Sequence, residues 1–172
     1  MAHRPLDPDA LGDHVDRLYR AAWALCGRRE DAEDLVQDTY ARVLAKPRLL
    51  RSEDDLGYLL RVLRNTHVSR LRSAARRPVS ERPLHDADAA LDPHDPSDPE
   101  VVLRARELFS AIAALPAPQR DVLVAVDVAG LSYREAGRAL RVKEATVTTR
   151  LHRARAAVAA QLREPALARY CA

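Results

Sequence analysis

The stretch KEATVTTRLHRARAAV, residues 143–158, combines groups that can contact DNA bases with groups that can bind phosphate. Threonine hydroxyls and methyls suit base edges in the major groove, and arginines bind phosphate or guanine. Residues 129–163 contain eight basic and two acidic residues, a local net charge of +6. The side chains expected to face outward are Glu144, Thr146, Thr148, Thr149, Arg150, His152, Arg153 and Arg155.

A helix-turn-helix is expected to position these side chains. Residues 132–140, SYREAGRAL, predict a short first helix in which Ala136 and Gly137 allow a second helix to cross closely. The turn follows at 141–143. The second helix is predicted to bury residues spaced by 4, 3 and 4, namely Val147, Leu151, Ala154 and Val158. The alternative interpretation is an amphipathic helix whose basic face is merely solvated.

A second basic surface is predicted on a helix that begins near Ser52 and ends before Pro78. Residues 61–82 contain seven arginines and one glutamate, again a net charge of +6. Such a stripe can follow a phosphate backbone, although it can also be a solvated face. One face holds Arg61, Arg64, Asn65, Val68 and Arg72, and Arg70, Arg76 and Arg77 extend it.

The helix predicted over residues 31–46 is acidic instead. Acidic side chains in the first turn of a helix interact favourably with the positive end of its dipole, which accounts for the acids between Glu30 and Asp34. The polar residues Asp34, Gln37 and Asp38 are more than the helix dipole requires, and together they predict a polar patch that binds a basic partner. A metalloenzyme that uses the acids at 30–34 is a rival hypothesis, but helical metal sites normally also take carboxylates from a facing helix in a matched motif.

The elements that carry these surfaces are predicted to be helices. The chain has 172 residues, 47% hydrophobic and only 4% aromatic, with five glycines, which favours an all-α fold of two small domains. A first helix is capped by Asp7 and Pro8 and ends at Gly27. The expected buried positions are Leu11, Val15, Leu18, Ala22 and Leu25, then Leu35, Val36, Tyr40, Val43 and Leu44, then Leu56, Leu59, Leu60, Leu63 and His67.

A proline-rich acidic segment separates the two predicted domains. Residues 78–99 contain five prolines, and residues 83–100 contain six acidic and no basic residues. This composition predicts a flexible linker. Beyond it, a helix is marked by Val101, Val102, Ala105, Leu108, Ile112 and Leu115. We therefore expect a first domain over 1–77, a linker over 78–100, a second domain over 101–163 and, after Pro165 ends the last helix, a tail within 164–172.

Several classes of protein are disfavoured by the sequence. It has no apolar run near the ~18–20 residues that span a membrane, and its first ten residues do not resemble a signal peptide. Cys26 and Cys171 lie in no metal-ligand spacing, and Cys26 is expected to be a small core residue. We expect a cytoplasmic protein without membrane insertion, metal or cofactor.

Three stretches resemble the extracytoplasmic-function (ECF) sigma factors of bacterial RNA polymerase. REDAEDLVQDTYARVLAKP, residues 29–47, resembles the helix that grips the polymerase clamp. GYLLRVLRNTHVSRLRSAARR, residues 57–77, resembles the helix that opens and holds the −10 promoter element. LPAPQRDVLVAVDVAGLSYREAGRALRVKEATVTTRLHRARAAV, residues 115–158, resembles the domain that reads the −35 element.

The resemblance implies a sigma factor that binds the beta and beta-prime subunits of core RNA polymerase, recognises promoter DNA and helps to melt it. It implies no catalysis, and family members are commonly held by an anti-sigma factor, which this sequence does not identify. The loop Pro47–Asp55 would offer a pocket for a flipped base, and the acidic linker would thread the RNA-exit path. The implied contacts are Asp34, Leu35, Gln37 and Asp38 for the polymerase, Arg61, Arg64, Asn65, Arg72 and Arg76 for the −10 element, and Lys143, Glu144, Thr146, Thr148, Thr149, Arg150 and Arg153 for the −35 element.

The chain departs from the family pattern at two positions. Arg141 stands where the turn usually carries glycine, so we expect a positive φ there. Ser69 stands where the family often has an acid. A competing hypothesis is a helix-turn-helix regulator that does not recruit polymerase. It would need only the block 101–163 and would leave the acidic segment 30–46 unexplained.

Overall fold

The computed structural model describes residues 4–5, 9–45, 49–50, 55–76 and 99–170. Within these ranges the chain is helical, apart from strands β1 (Arg4–Pro5) and β2 (Leu49–Leu50), which pair antiparallel. The predicted all-α class is therefore confirmed. The helices are α1 (Val15–Cys26), α2 (Arg29–Ala45), α3 (Asp55–Ala75), α4 (Pro99–Ala113), α5 (Ala117–Leu123), α6 (Tyr133–Leu140) and α7 (Glu144–Tyr170), with a 3₁₀ helix at Asp9–His14 and a π-helical segment at Val124–Val128.

Helices α1, α2 and α3 form the first bundle. Gly27, at φ 72°, ends α1 in the left-handed conformation that glycine adopts without steric cost, and its N–H donates to the Trp23 carbonyl at 2.8 Å. The apolar faces then meet in a core whose fully buried members include Leu18, Leu35, Leu59 and Leu63. Each of these helices has an apolar face and a charged face, and burial of the apolar face supplies most of its stability.

Helices α5, α6 and α7 form the second bundle, and α4 packs on α7. Val122 and Leu123 of α5 and Ala136 of α6 are buried between the helices. The predicted buried side of α7 is confirmed, since all four of its members lie in the core: Val147, Leu151, Ala154 and Val158.

The two bundles pack directly against each other. Helix α1 lies on α4 and on the π-helical segment, and α3 lies on α6. The rings of Trp23 in α1 and Phe109 in α4 are 4.4 Å apart between centroids at an angle of 42°. The buried residues of both bundles thus belong to one continuous core.

Three residues expected in the core are exposed instead. Val15 follows a 3₁₀ helix, whose tighter winding of about three residues per turn shifts the periodicity carried over from Leu11. Leu44 is 51% exposed, because nine residues at about 100° each place it opposite the buried Leu35. Leu108 lies beside the buried stripe of α4, which runs through Phe109 and Ile112.

Other predictions concern the ends of elements. Helix α7 continues through Pro165 to Tyr170, so the prediction that Pro165 ends the helix is wrong. A proline removes one hydrogen bond but fixes φ at a helical value, so a helix can continue through it at a cost. Helix α4 begins at Pro99, a favourable first position for proline. The Asp7–Pro8 cap, Ser52 and most of the linker lie outside the described residues.

Candidate nucleic-acid interface

The helix-turn-helix begins with a capping box at α6. The Ser132 hydroxyl oxygen accepts a hydrogen bond from the Glu135 N–H, and the Ser132 N–H donates to the Glu135 carboxylate at 2.8 Å. These bonds satisfy N–H groups that a helix start leaves free. The hydrogen bonds from Ser132 lower the pKa of Glu135, so the cap persists over the neutral range.

The turn between α6 and α7 is tight for two reasons. Arg141 has φ 58°, the positive value expected from the sequence, and it ends α6 in the left-handed conformation. A Cβ on Gly137 would lie 2.9 Å from the Val142 carbonyl oxygen, closer than real Cβ atoms approach. The Val142 N–H donates to the Gly137 carbonyl at 2.9 Å. Only glycine at 137 lets the chain turn this closely.

The first turns of α7 present the predicted threonines on the side opposite the core. Thr148 and Thr149 are exposed, and Thr146 and Arg150 are half-buried. The Thr148 hydroxyl donates to the Glu144 carbonyl at 3.1 Å, and the Thr149 hydroxyl donates to the Ala145 carbonyl at 3.0 Å. Each hydroxyl oxygen keeps acceptor capacity for a base amino group. Lys143, Glu144 and Arg153 are exposed around them.

One arginine of α7 is bound within its own domain. The Arg155 guanidinium donates to both carboxylate oxygens of Asp127, at 2.9 Å and 2.6 Å. These bonds raise the pKa of Arg155. A guanidinium held in this bidentate way is less available to phosphate than an uncommitted one.

The basic face of α3 contains side chains in three situations. Asn65, Arg72 and Arg76 are exposed, and the Arg76 Nε donates to the Arg72 carbonyl at 3.2 Å. The Arg61 guanidinium lies over the Tyr58 ring, 5.4 Å from its centroid, a cation–π geometry. Arg64 is paired to the second bundle: its Nε donates to the Asp121 carboxylate of α5 at 2.6 Å.

The acidic patch of α2 is braced by α3. Asp34 and Gln37 are exposed, and Asp38 is half-exposed. Arg70 donates to the Asp38 carboxylate from Nη2 at 2.7 Å and from Nε at 3.1 Å, and to the Asp34 carbonyl at 3.0 Å. Arg70 therefore does not extend the free basic stripe of α3, because it fastens α3 to α2.

Leu35 cannot contact a partner as the family resemblance implied. Its side chain is 0% exposed and lies in the core of the first bundle. Leu35 is one helical step from Asp34, which places it on the inner side of α2, and its role is to hold the patch in place.

Two titratable side chains are enclosed near the junction of the bundles. The Cys26 Sγ lies 3.7 Å from Nδ1 of His67 and 3.8 Å from the Asp31 carbonyl. Burial, with a contribution from the Asp31 carboxylate, raises the pKa of the Cys26 thiol to about 12. Burial and the nearby Arg120 and Arg70 guanidiniums lower the pKa of His67, although Asp121 and Asp31 oppose them.

Two residues at the contact between the two bundles were not identified from the sequence. Asp121 binds Arg64, which is 57 residues away, and Arg17 of α1 donates to the carbonyls of Ala129 at 2.8 Å and Gly130 at 3.1 Å. No sequence pattern assigned either residue a contact, and their partners are distant along the chain. Only the packing of the bundles reveals them.

Other kinds of site have no support in the described part of the chain. In those ranges no group of three or more His, Cys, Asp or Glu side chains is arranged to hold a metal ion. The same residues contain no helix long and apolar enough to cross a membrane.

The fold and these surfaces define a class of transcription protein. Residues 11–77 match the family described as sigma-70 region 2, and residues 105–158 match the family described as sigma-70, region 4. The structure is similar to that of the sigma factor RpoE from Bartonella quintana, solved with the anti-sigma factor NepR. The TM-score is 0.75 at 24% identity, over 90% of this chain and 95% of that one.

Relatives place the chain within that class. It is 34% identical over 90% of its length to the ECF RNA polymerase sigma factor SigE of Mycolicibacterium smegmatis, and spans 61% of that protein. It is 31% identical to the ECF sigma factor EcfG of Rhodopseudomonas palustris over 86% of this chain and 80% of that one. The ECF sigma factor SigM of Mycobacterium tuberculosis is also 31% identical, over 85% and 71% of the two chains. The chain belongs to the ECF sigma factors, the non-enzymatic subunits with which RNA polymerase recognises promoters.

Proposed function

We propose that this chain directs core RNA polymerase to a specific set of promoters, with α7 reading the −35 element and α3 holding the melted −10 element. The observation that carries the proposal is the presence of two separate basic helical faces beside one acidic patch. A regulator that only binds duplex DNA needs the second bundle alone and has no use for the acidic face of α2.

The −35 assignment is supported by the exposed start of α7. A recognition helix contacts base edges with its N-terminal residues, and here those residues are short hydrogen-bonding side chains flanked by basic ones. The proposed contacts are Lys143, Glu144, Thr146, Thr148, Thr149, Arg150 and Arg153.

The −10 assignment is supported by the exposed side of α3. Melted DNA is a flexible polyanion, which a row of guanidiniums can hold by charge while Asn65 offers a hydrogen-bonding amide. The proposed contacts are Arg61, Arg64, Asn65, Arg72 and Arg76, and strand separation occurs beside them. Six of the nine residues of the proposed base pocket, the loop Pro47–Asp55, lie outside the described residues.

The polymerase assignment is supported by Asp34, Gln37 and Asp38, which present polar groups from a braced helix. The Arg70 contacts hold α2 in a fixed position on α3, so the patch is preorganised for a basic partner. An anti-sigma factor is a further candidate partner, since two similar folds were solved in complexes, RpoE with NepR and CnrH with the cytosolic domain of CnrY. We place this activity in the cytoplasm, where core polymerase and promoters are found.

Run-off transcription with purified core polymerase on genomic DNA tests the proposal directly. We expect discrete start sites that appear only when the chain is added. A chain that binds duplex DNA but neither co-purifies with core polymerase nor yields start sites would be a regulator of the competing class.

The polymerase patch is tested by Asp34→Asn, which removes one exposed carboxylate. We expect weaker binding to core polymerase, because a steering charge at the interface is lost. The matched control is Asp16→Asn, the same change at an exposed position of α1. Equal affinities of the two variants would remove Asp34 from the interface.

A further inference from the structure

Arg155 connects the proposed recognition helix to the two elements that precede it. Its guanidinium, on α7, donates from Nε and Nη2 to the two carboxylate oxygens of Asp127, which is 28 residues earlier in the chain, at 2.9 Å and 2.6 Å. Asp127 lies in the π-helical segment Val124–Val128. The Tyr133 side chain, at the start of α6, also interacts with this guanidinium. The contact therefore joins α7 to the helix-turn-helix at a second place, apart from the turn.

The π-helical segment offers Asp127 from a packed backbone. The Ala129 N–H donates to the Val124 carbonyl at 2.9 Å, which closes the wider turn of a π-helix. Such a turn changes the direction of the side chains within and beyond it relative to an uninterrupted α-helix, and single π-turns are frequent at functional sites. Val124 and Ala125 are buried and anchor the segment.

The Arg155–Asp127 pair supplies geometry more than stability. The two side chains are 53% and 32% exposed, and ion pairs at such exposure contribute little to folding because water screens them. Two parallel hydrogen bonds to a planar guanidinium nonetheless fix the relative orientation of the partners. The apolar contacts of the buried stripe of α7 are not directional in this way. That stripe consists of Val147, Leu151, Ala154 and Val158.

A small tilt of α7 is enough to misplace the side chains that are proposed to read DNA. Along the axis, Thr149 is about 8 Å and Arg153 about 14 Å from Glu144, at about 1.5 Å per residue. A tilt of about 10° about the turn moves these two positions by about 1 Å and about 2 Å. The range of good hydrogen-bond distances is only about 0.5 Å wide. Contacts that distinguish one base from another therefore depend on a second fixed point beyond the turn.

We propose that the Arg155–Asp127 pair fixes the angle of α7 and thereby determines how sharply the chain discriminates among −35 sequences. Both residues are positioning residues, which act on DNA through the side chains at the start of α7. This inference rests on the proposed function, because it assumes that α7 reads the −35 element. Two other roles make different predictions: a direct phosphate contact by Arg155, and an ion pair that only stabilises the fold.

The test uses the chain assembled on core polymerase and two duplexes: a promoter mapped by run-off transcription, and the same promoter with its −35 element scrambled. The measured quantity is the ratio of the two affinities. Asp127→Asn removes the carboxylate charge and leaves Arg155 in place, and we expect the ratio to fall severalfold. If Arg155 instead contacts phosphate, its release tightens binding to both duplexes and leaves the ratio unchanged, which would overturn the proposal.

A double-mutant cycle tests whether the two residues act as one unit. We expect Arg155→Met to lower the ratio about as much as Asp127→Asn, and the double variant to lower it no further, because either change alone already breaks the contact. Losses that add in the double variant would mean that the residues act separately, and this would also overturn the proposal.

Glu100→Gln is the matched control. It breaks another exposed arginine–carboxylate pair of the second bundle, between Glu100 and Arg104 at 2.6 Å, but both of these residues belong to α4. We expect it to keep the ratio of the parent chain.

Thermal melting establishes that each variant is folded, and if Arg155→Met does not fold, Asp127→Asn decides the question. Equal ratios for Asp127→Asn and the parent chain would reduce the pair to a stabilising contact and overturn the proposal. Failure of the proposed function is recognised separately, because the parent chain would then not distinguish the mapped promoter from the scrambled one.

Discussion

The arginines of α7 differ in their hydrogen-bond partners within the protein. An arginine without a carboxylate partner can bind a DNA phosphate and so release a counterion from DNA. Arg150 is proposed to contact phosphate, whereas Arg155 is bound to Asp127. We expect Arg150→Ala to weaken promoter binding and to flatten the slope of log affinity against log salt by about 0.9, the loss of one phosphate contact. Binding is measured by fluorescence anisotropy at several salt concentrations.

The comparison variant for that prediction is Arg155→Ala. Since Arg155 is committed to Asp127, we expect a salt slope close to that of the parent chain. Equal slopes for the parent chain and Arg150→Ala would take Arg150 out of the phosphate contacts.

His67 is expected to couple stability to pH. Because its pKa is lowered in the folded chain, the unfolded chain binds the proton first as pH falls through about 6.5. The free energy of unfolding therefore decreases between pH 6.5 and the lower pKa of the folded state. We expect His67→Gln to lack this part of the pH dependence, measured by denaturant unfolding from pH 7.5 to pH 5.

His152→Gln is the control for this effect, since His152 is exposed on α7. Its unfolding curve should keep the decline seen in the parent chain. If His67→Gln and the parent chain lose stability in parallel on acidification, other groups are responsible for the decline.

At the scale of elements, the turn between α6 and α7 sets the angle of the proposed recognition helix. Gly137→Ala places a Cβ 2.9 Å from a backbone oxygen, which cannot move without opening the turn. We expect a loss of about 1–3 kcal/mol in the free energy of unfolding, measured with denaturant, and weaker promoter binding. A fully stable Gly137→Ala variant would mean that the turn is less constrained than its geometry indicates.

In the same turn, Arg141→Gly is expected to stabilise the protein, whereas Gly137→Ala is expected to destabilise it. The positive φ at position 141 is unfavourable for arginine and readily adopted by glycine, so we expect the free energy of unfolding to increase by up to about 1 kcal/mol. The pair of variants separates the close approach at 137 from the backbone strain at 141.

At the scale of the whole molecule, the bundles share their apolar surface. Trp23 and Leu25 of the first bundle are both only 6% exposed, and both adjoin residues of the second bundle. We expect the separate fragments 1–77 and 99–172 to melt several degrees below the intact chain, because this surface meets water in each of them. Calorimetry of the fragments and of the intact chain gives the comparison.

Mixing the two fragments is the corresponding control. If the surfaces are complementary, the melting temperatures should rise with fragment concentration, by mass action. Fragments that melt at the temperature of the intact chain would show that the interface adds little stability.

The sequence alone determined the local features of this protein. The spacing of Val147, Leu151, Ala154 and Val158 predicted the buried side of α7, because helical periodicity depends on residues close along the chain. The positive φ of Arg141 was expected from the family resemblance, since the turn of that family usually carries glycine there. Composition and helical periodicity predicted the all-α fold and the helix-turn-helix, and the resemblance of three stretches to known sequences identified the family.

The tertiary structure decided what each charged side chain touches. Arg64 and Arg70 looked alike in the sequence, yet one pairs with Asp121 in the other bundle and the other fastens α3 to α2. For Leu35, the spacing predicted burial whereas the family resemblance implied a polymerase contact, and the structure buries it. The physical reason is that ion pairs and interdomain surfaces depend on how whole helices pack across 30 to 110 residues of chain, and no local pattern of spacing or propensity encodes that packing.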